Sequence, residues 1–361
     1  VIAKISKKFS REMSKGNVTN ALKLLSENMQ NGILPLNQNT LNQLKQKHPQ
    51  GKEAEFNTLL TDKPEEIHPI KFEGIDAELV KKAVVRTRGG AGPSGMDADG
   101  WRRILITKQF GNTSNELCAT IAEVIKKLCT TDNLAQSLEA FLACRLIPLD
   151  KNPGLRPIGI GEILRRIVGK VIVSYIRKDL ISSVGTLQVC AGHEAGCESI
   201  IHAMHEIYND EESEAVLLVD ASNAFNSVNR NIFLHNIEII CPPIAKYVRN
   251  CYNLPSRLFI IGGGEIRSTE GTTQGDPTAM AIYAIAIIPL ILMLVDISHY
   301  DDPSTKTAAY ADDFTAAGKV VQLKKWWDTL CELGPKFGYY PEGSKSWLII
   351  KGNHEHAVEI F

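Results

Sequence analysis

The chain has 361 residues, of which 44% are hydrophobic and 22% charged. These values are ordinary for a globular protein, exclude a low-complexity chain, and leave room for about two or three domains. A formal net charge of −1 means that no overall basicity advertises a nucleic-acid partner.

The eight cysteines (Cys118, Cys129, Cys144, Cys190, Cys197, Cys241, Cys251 and Cys331) include no C-x₂-C pair. That pattern suits a reducing, intracellular compartment, with nucleus or cytoplasm left open. The chain starts Val1-Ile2-Ala3-Lys4, shows no signal-type apolar segment, and reads as a fragment of something longer.

Residues 1–85 read as an N-terminal helical extension in contact with RNA. In SKGNVTNALKLLSENMQNGILPL the apolar residues Val18, Ala21, Leu22, Leu25 and Met29 recur at helical spacing, and Asn-Gly and Pro35 end the run. The segment KHPQGKEAEFNTLLTDKPEEIHPI is a polar connector. A loop rich in glycine, Arg86 to Asp97, precedes a helix at Trp101; it reads either as a backbone that approaches a ligand closely or as an ordinary turn.

Next, Arg145–Leu149 and Arg156–Ile160 read as strands around an Asn-Pro-Gly turn, followed by a helix. Arg145 to Lys178 holds eight Lys/Arg and two Asp/Glu, a local basicity that the net charge hides. Lys151 and Arg156 near the hairpin tip suit a polyphosphate or a nucleic-acid backbone. In QVCAGHEAGCESIIHAMHEIY, Cys190, His193 and Cys197 have no clean fourth ligand, which disfavours zinc.

AVLLVD is a buried strand that ends in Asp220. SRLFIIGGGEIRSTEG is a hairpin that turns on Gly262-Gly263-Gly264. The run AMAIYAIAIIPLILMLV is uncharged; at about 1.5 Å per residue it falls short of a hydrocarbon core of about 30 Å, and Pro289 interrupts it. A buried core helix, with no membrane partner, is expected. TAAYADDFTAAG is a strand–turn–strand, then come the helix KVVQLKKWWDTLCEL and a strand near Trp347–Ile350.

Asp220 and the pair Asp312-Asp313 are the places where a buried-looking strand delivers Asp. If the strands are neighbours, three carboxylates converge, and like charges that close need cations to stay ionised. Hard divalent ions with oxygen ligands meet that need, and two of them clamp an in-line phosphoryl displacement. A plain Asp-containing turn is the structural alternative.

Tyr310-Ala311-Asp312-Asp313 resembles the Y-x-D-D box of reverse transcriptases. Asp220-Ala221-Ser222-Asn223-Ala224-Phe225 resembles the first palm motif, D-x-x-x-A-F. Gln274-Gly275-Asp276-Pro277 resembles the Q-G-D-P motif of non-LTR retrotransposon and group II intron enzymes. Arg156-Pro157-Ile158-Gly159 resembles the fingers motif, Gly92 to Asp97 the G-P-x-G-x-D element, and Gly338 to Lys345 the motif after the Y-x-D-D hairpin. The ordered set spans Arg86 to Lys345 and resembles a LINE-like enzyme most.

The resemblance implies an α+β right-hand polymerase: fingers over 86–215, and over 216–361 a palm with some fingers elements and an antiparallel sheet backed by helices. The thumb is absent or truncated. It implies an RNA-directed DNA polymerase that uses an RNA template, a DNA or RNA primer and dNTPs, with two Mg²⁺ ions, or Mn²⁺ in their place. Asp220 and Asp312 become principal metal ligands, with Asp313 beside them and the Ala221 carbonyl as a further ligand. Arg156 and Lys151 bind the triphosphate, Gln274 and Gly275 border the nucleotide, and Lys345 lies near the pyrophosphate, as a candidate proton donor. Phe225 stands where the family sets an aromatic ring against the sugar C2′, which selects deoxynucleotides. RNA polymerases usually have Asp at that spacing. Many relatives have Asp after the aromatic; here it is Asn226. The alternatives are a maturase-like or inactive RNA-binding remnant of the same fold and, behind it, an RNA-templated RNA polymerase.

Overall fold

The computed structural model describes residues 2–361 apart from 15, 17, 19–20, 22–31, 133, 152–153, 302–303 and 353. Most of the helix expected from Val18 to Met29, and the Asn152-Pro153 turn, lie outside the described residues.

Among the described residues, eight strands form two four-stranded sheets in an α+β arrangement. β1 (Cys144–Asp150), β2 (Leu155–Gly161), β4 (Ser256–Ile260) and β5 (Glu265–Ser268) lie in the order β2-β1-β4-β5. β1 and β2 pair antiparallel from Cys144↔Gly161 to Asp150↔Leu155, whereas β1 and β4 pair in parallel at Cys144↔Leu258. One sheet therefore joins the expected fingers hairpin to the Gly262–Gly264 hairpin about a hundred residues later.

The second sheet, all antiparallel, has the order β6-β7-β3-β8. It comprises β3 (Ala215–Val219), β6 (Lys306–Tyr310), β7 (Asp313–Gly318) and β8 (Trp347–Ile350). The small side chains Ala309, Ala316 and Ala317 are fully buried, so helices lie close against this sheet.

The helix Ala279–Asp301 runs through the largest core, against the helices Arg230–Ile240 and Val320–Phe337. It is long and apolar enough to cross a membrane, but 67% of its apolar window is buried inside the protein. The helix departs from the sequence-based expectation in two respects. Pro289 does not interrupt the helix, and at 23 residues the helix is longer than its apolar run. Proline removes one backbone hydrogen bond, a loss that dense burial on several sides outweighs.

The N-terminal extension is strapped onto the rest of the chain. Asn37 caps the helix Gln38–Lys47 by accepting from the Thr40 N–H at 2.8 Å, and Leu44 sinks into a core with Cys144, Leu155 and Leu258. The connector lies along the helix Arg230–Ile240: the Leu60 N–H donates to Asn236 Oδ1 (2.9 Å), and Asn236 Nδ2 donates to the Thr58 carbonyl (3.0 Å). It is two short 3₁₀ turns and extended chain, so the extension is only partly helical.

The glycine-rich loop closes on the protein. The Ser94 N–H and Oγ both donate to the Glu162 carboxylate at 2.7 Å, and a Cβ on Gly92 would fall 2.8 Å from the Glu162 backbone. Asp97 caps the helix Ala98–Ile106. All eight cysteines are free thiols, and among the described residues Cys190, His193 and Cys197 form no metal site.

Candidate active site

The sheet register brings the acidic residues together. Val219 pairs with Phe314, so Asp220, one step beyond β3, comes up beside Asp313 at the start of β7. Tyr310 pairs with Asp313, which leaves Ala311-Asp312 as a two-residue turn between β6 and β7. Ala311 has φ 55°, the left-handed region that costs a residue with a Cβ about 1 kcal/mol or more.

A buried side chain holds that turn. Gln188 Oε1 accepts from the Ala311 N–H at 2.8 Å, and Gln188 Nε2 donates to the Ala311 carbonyl at 2.9 Å. Gln188 is itself fully buried, and its neighbours extend the sheet: the Val189 N–H donates to the Ala309 carbonyl and the Ala309 N–H to the Leu187 carbonyl. The Tyr339 hydroxyl adds a bond to the Asp312 carbonyl (2.9 Å), and its ring stacks on Phe314 with centroids 4.4 Å apart. Sequence reasoning missed Gln188 and Tyr339. A glutamine that closes two backbone bonds 123 residues away leaves no periodic signal.

The segment after Gly338 fixes Asp220. The Glu342 N–H donates to the Asp220 carbonyl (2.9 Å), the Asp220 N–H to Ser346 Oγ (3.3 Å), and Ala221 bridges Pro341.

Two other motifs interlock. The Gly159 N–H donates to the Gln274 carbonyl at 2.9 Å, and a Cβ on Gly159 would fall 2.6 Å from Thr273 Cγ2. Behind this contact, Asp276 forms a buried ion pair with Arg165 and accepts from the Tyr252 hydroxyl (2.8 Å) and Thr278 Oγ1 (2.7 Å). The side chains of Arg165 and Asp276 are each 1% exposed. Such a pair is costly to desolvate and costlier to half-remove. It fixes the stretch that presents Gln274.

One cavity of about 550 Å³, a size suited to a small-molecule ligand, receives most of the candidate residues. Asp220, Asp312 and Asp313 line it together with Ala221, Phe225 and Gln274. Lys151, Arg156 and Lys345 also line it; Gly275 does not, and lies against Gly159 instead. Gln43, Gln46 and Lys47 of the helix Gln38–Lys47 form a further wall. Their part was invisible in the sequence, because only the long-range packing of Leu44 sets the helix there.

Electrostatics follow from this crowding. Burial, with added repulsion from Asp313 and Asp220, pushes the Asp312 carboxyl up to about 6, although its own backbone N–H and Arg156 oppose the rise. Burial and Asp220 raise Asp313. Phe225 lines the cavity with its ring stacked on Tyr283, centroids 4.6 Å apart. Asn226 Nδ2 donates to Asn223 Oδ1 at 3.0 Å, a bond that Asp could not supply.

The family model described as Reverse transcriptase (RNA-dependent DNA polymerase) matches residues 149–338, over half of the chain. The chain belongs to the reverse transcriptase family. Among curated proteins nothing matches it. Membership implies the fingers-and-palm polymerase fold, nucleotidyl transfer, and nucleic-acid and nucleotide substrates. The matched segment contains Asp220, Asp312 and Asp313, but neither Lys345 nor Lys47.

Reverse transcriptases generally use divalent metal ions. The donor set here fits such an ion in kind: carboxylate oxygens that repel one another, with Asp312 raised by burial first and by that repulsion second. Among the described residues no three His, Cys, Asp or Glu side chains close around one point. Mg²⁺ does not require three, since one or two carboxylates suffice when substrate phosphates complete the shell.

Proposed function

We propose that this reverse transcriptase is the RNA-directed DNA polymerase of a non-LTR, LINE-like or group II intron-type mobile element. The reading is carried by one observation. Three carboxylates, an aromatic ring and several cations from separate parts of the chain line a single nucleotide-sized cavity. The second sheet and its helices form the palm, and the β1–β2 hairpin with the helices before it forms the fingers.

In this reading Asp220 and Asp312 would hold Mg²⁺, which when bound would lower the pKa of the primer 3′-hydroxyl and offset negative charge on the phosphates. The 3′-hydroxyl gives up its proton to solvent water, its oxygen forms a bond to the α-phosphorus as the bond from that phosphorus to the α,β-bridging oxygen breaks, and pyrophosphate leaves. Arg156 and Lys151 hold the triphosphate. Lys345 faces the leaving pyrophosphate and donates a proton to it. Gln274, fixed through Asp276, positions the nucleotide. Positioning and charge neutralisation supply the rate. The Phe225 ring, backed by Tyr283, closes the space that a ribose 2′-hydroxyl would need.

Primer extension on an RNA template with Mg²⁺ and dNTPs tests the proposal. Incorporation that needs the RNA template and falls at least 1,000-fold in Asp312→Asn, about 4 kcal/mol of transition-state stabilisation, is expected. Equal incorporation by the variant refutes the site.

A further inference from the structure

We infer that Lys47 binds the triphosphate of the incoming nucleotide, so that the helix Gln38–Lys47, outside the family-matched segment, completes the nucleotide site. The inference rests on the polymerase reading above and adds a residue to it.

Three observations converge on Lys47. The first is placement. Gln43, Gln46 and Lys47 stand at i, i+3 and i+4 and so share a helix face, the face that lines the cavity. Leu44, buried beside Leu155, fixes that face against the hairpin that carries Lys151 and Arg156.

The second is a tether to the catalytic loop. Asn223 Nδ2 donates to the Lys47 carbonyl at 3.0 Å and to Ser227 Oγ at 3.0 Å, while Asn223 Oδ1 accepts from Asn226 Nδ2. The end of the helix is thus hydrogen-bonded to the residues that follow Asp220. Asn226 fixes the orientation of the Asn223 amide that makes this bond.

The third is charge. Lys47, Lys151, Lys345 and Arg156 all face the cavity that holds the three carboxylates. Lys345 has Glu342 at 3.9 Å; among the described residues Lys47 and Lys151 form no ion pair. Burial, then repulsion from Lys151 and Lys345, holds the Lys47 ammonium below the usual lysine range, with Glu342 in partial opposition. Cations gathered against their own repulsion suit a ligand with several negative charges on adjacent phosphates. A triphosphate has that density next to the metal-binding carboxylates. A strand backbone spreads its charges one per nucleotide.

Two measurements on the same proteins decide the matter. Calorimetry with inorganic tripolyphosphate and Mg²⁺ reads the phosphate site without polymerisation. Trapping of dNTP by protein on an RNA template with a dideoxy-terminated primer reads the nucleotide site without turnover. Lys47→Gln is expected to weaken both about tenfold and to leave primer–template affinity unchanged, with Lys47→Arg close to wild type. Wild-type tripolyphosphate binding in Lys47→Gln overturns the proposal. So does weakened primer–template binding with unchanged nucleotide trapping, which assigns Lys47 to the nucleic-acid backbone. Lys47-dependent tripolyphosphate binding without any dNTP trapping in the wild type removes the polymerase reading and leaves the phosphate site standing.

Discussion

Gln188 and Ala311 exchange two hydrogen bonds, 2.8 Å from the Ala311 N–H and 2.9 Å to its carbonyl, with the glutamine fully buried. The turn that carries Asp312 therefore owes its shape to a side chain far away in sequence. A left-handed alanine next to two repelling carboxylates is strained, and such strain persists where the surroundings over-determine the backbone.

Replacement of Gln188 by Leu should consequently disable the site without removing any group that touches substrate. Two buried backbone groups lose their partners, at about 1–3 kcal/mol each. Urea unfolding should show a loss of about 2–6 kcal/mol, and single-turnover incorporation at saturating dNTP should fall more than tenfold in the fraction that remains folded. Unchanged incorporation by Gln188→Leu would show that the turn holds its shape unaided.

The Asp312 carboxyl, raised to about 6 by burial and its acidic neighbours, gives a pH signature. A group whose folded pKa is raised contributes stability below its unfolded pKa, near 4, and loses that contribution as pH climbs through about 6. Without divalent ions, the wild type should lose about 2 kcal/mol relative to Asp312→Asn between pH 4 and pH 7. Mg²⁺ should restore much of this in the wild type alone. Thermal unfolding of the two proteins across that range, with and without Mg²⁺, measures it; parallel curves would contradict the crowded-carboxylate description.

Phe225 has two duties, one toward the cavity and one toward Tyr283 at 4.6 Å. Phe225→Val should raise the rNTP-to-dNTP ratio of kcat/KM by at least tenfold, since the space beside the sugar opens. Loss of the stacked pair should cost about 1 kcal/mol of stability. Competition assays with matched ribo- and deoxynucleotides check the first figure. A variant that still excludes ribonucleotides would place the sugar elsewhere.

Much of this arrangement was legible from residues alone. Asp220, Asp312 and Asp313 stood out because strand-like runs end in carboxylates there, and the β6–β7 hairpin around Asp312 formed as expected. Both strands around Lys151 and Arg156 also formed, each a residue longer at its ends than expected. Other features depend on contacts between distant segments. Lys47 reaches the cavity because Leu44 packs beneath β2, and Asp276 acts through Arg165, 111 residues earlier. Periodicity and motif spacing carry no record of such pairings. Pro289 misled because local propensity penalises it, whereas the surrounding core sustains the helix.

The proposed mechanism requires Asp220 and Asp312 to hold the same metal ion. The most direct measurement is Mn²⁺ binding followed by electron paramagnetic resonance in the presence of dNTP, for the wild type, Asp220→Asn and Asp312→Asn. Each variant is expected to lose the same high-affinity ion. Wild-type Mn²⁺ affinity in either variant, or additive losses of two different ions, would contradict it.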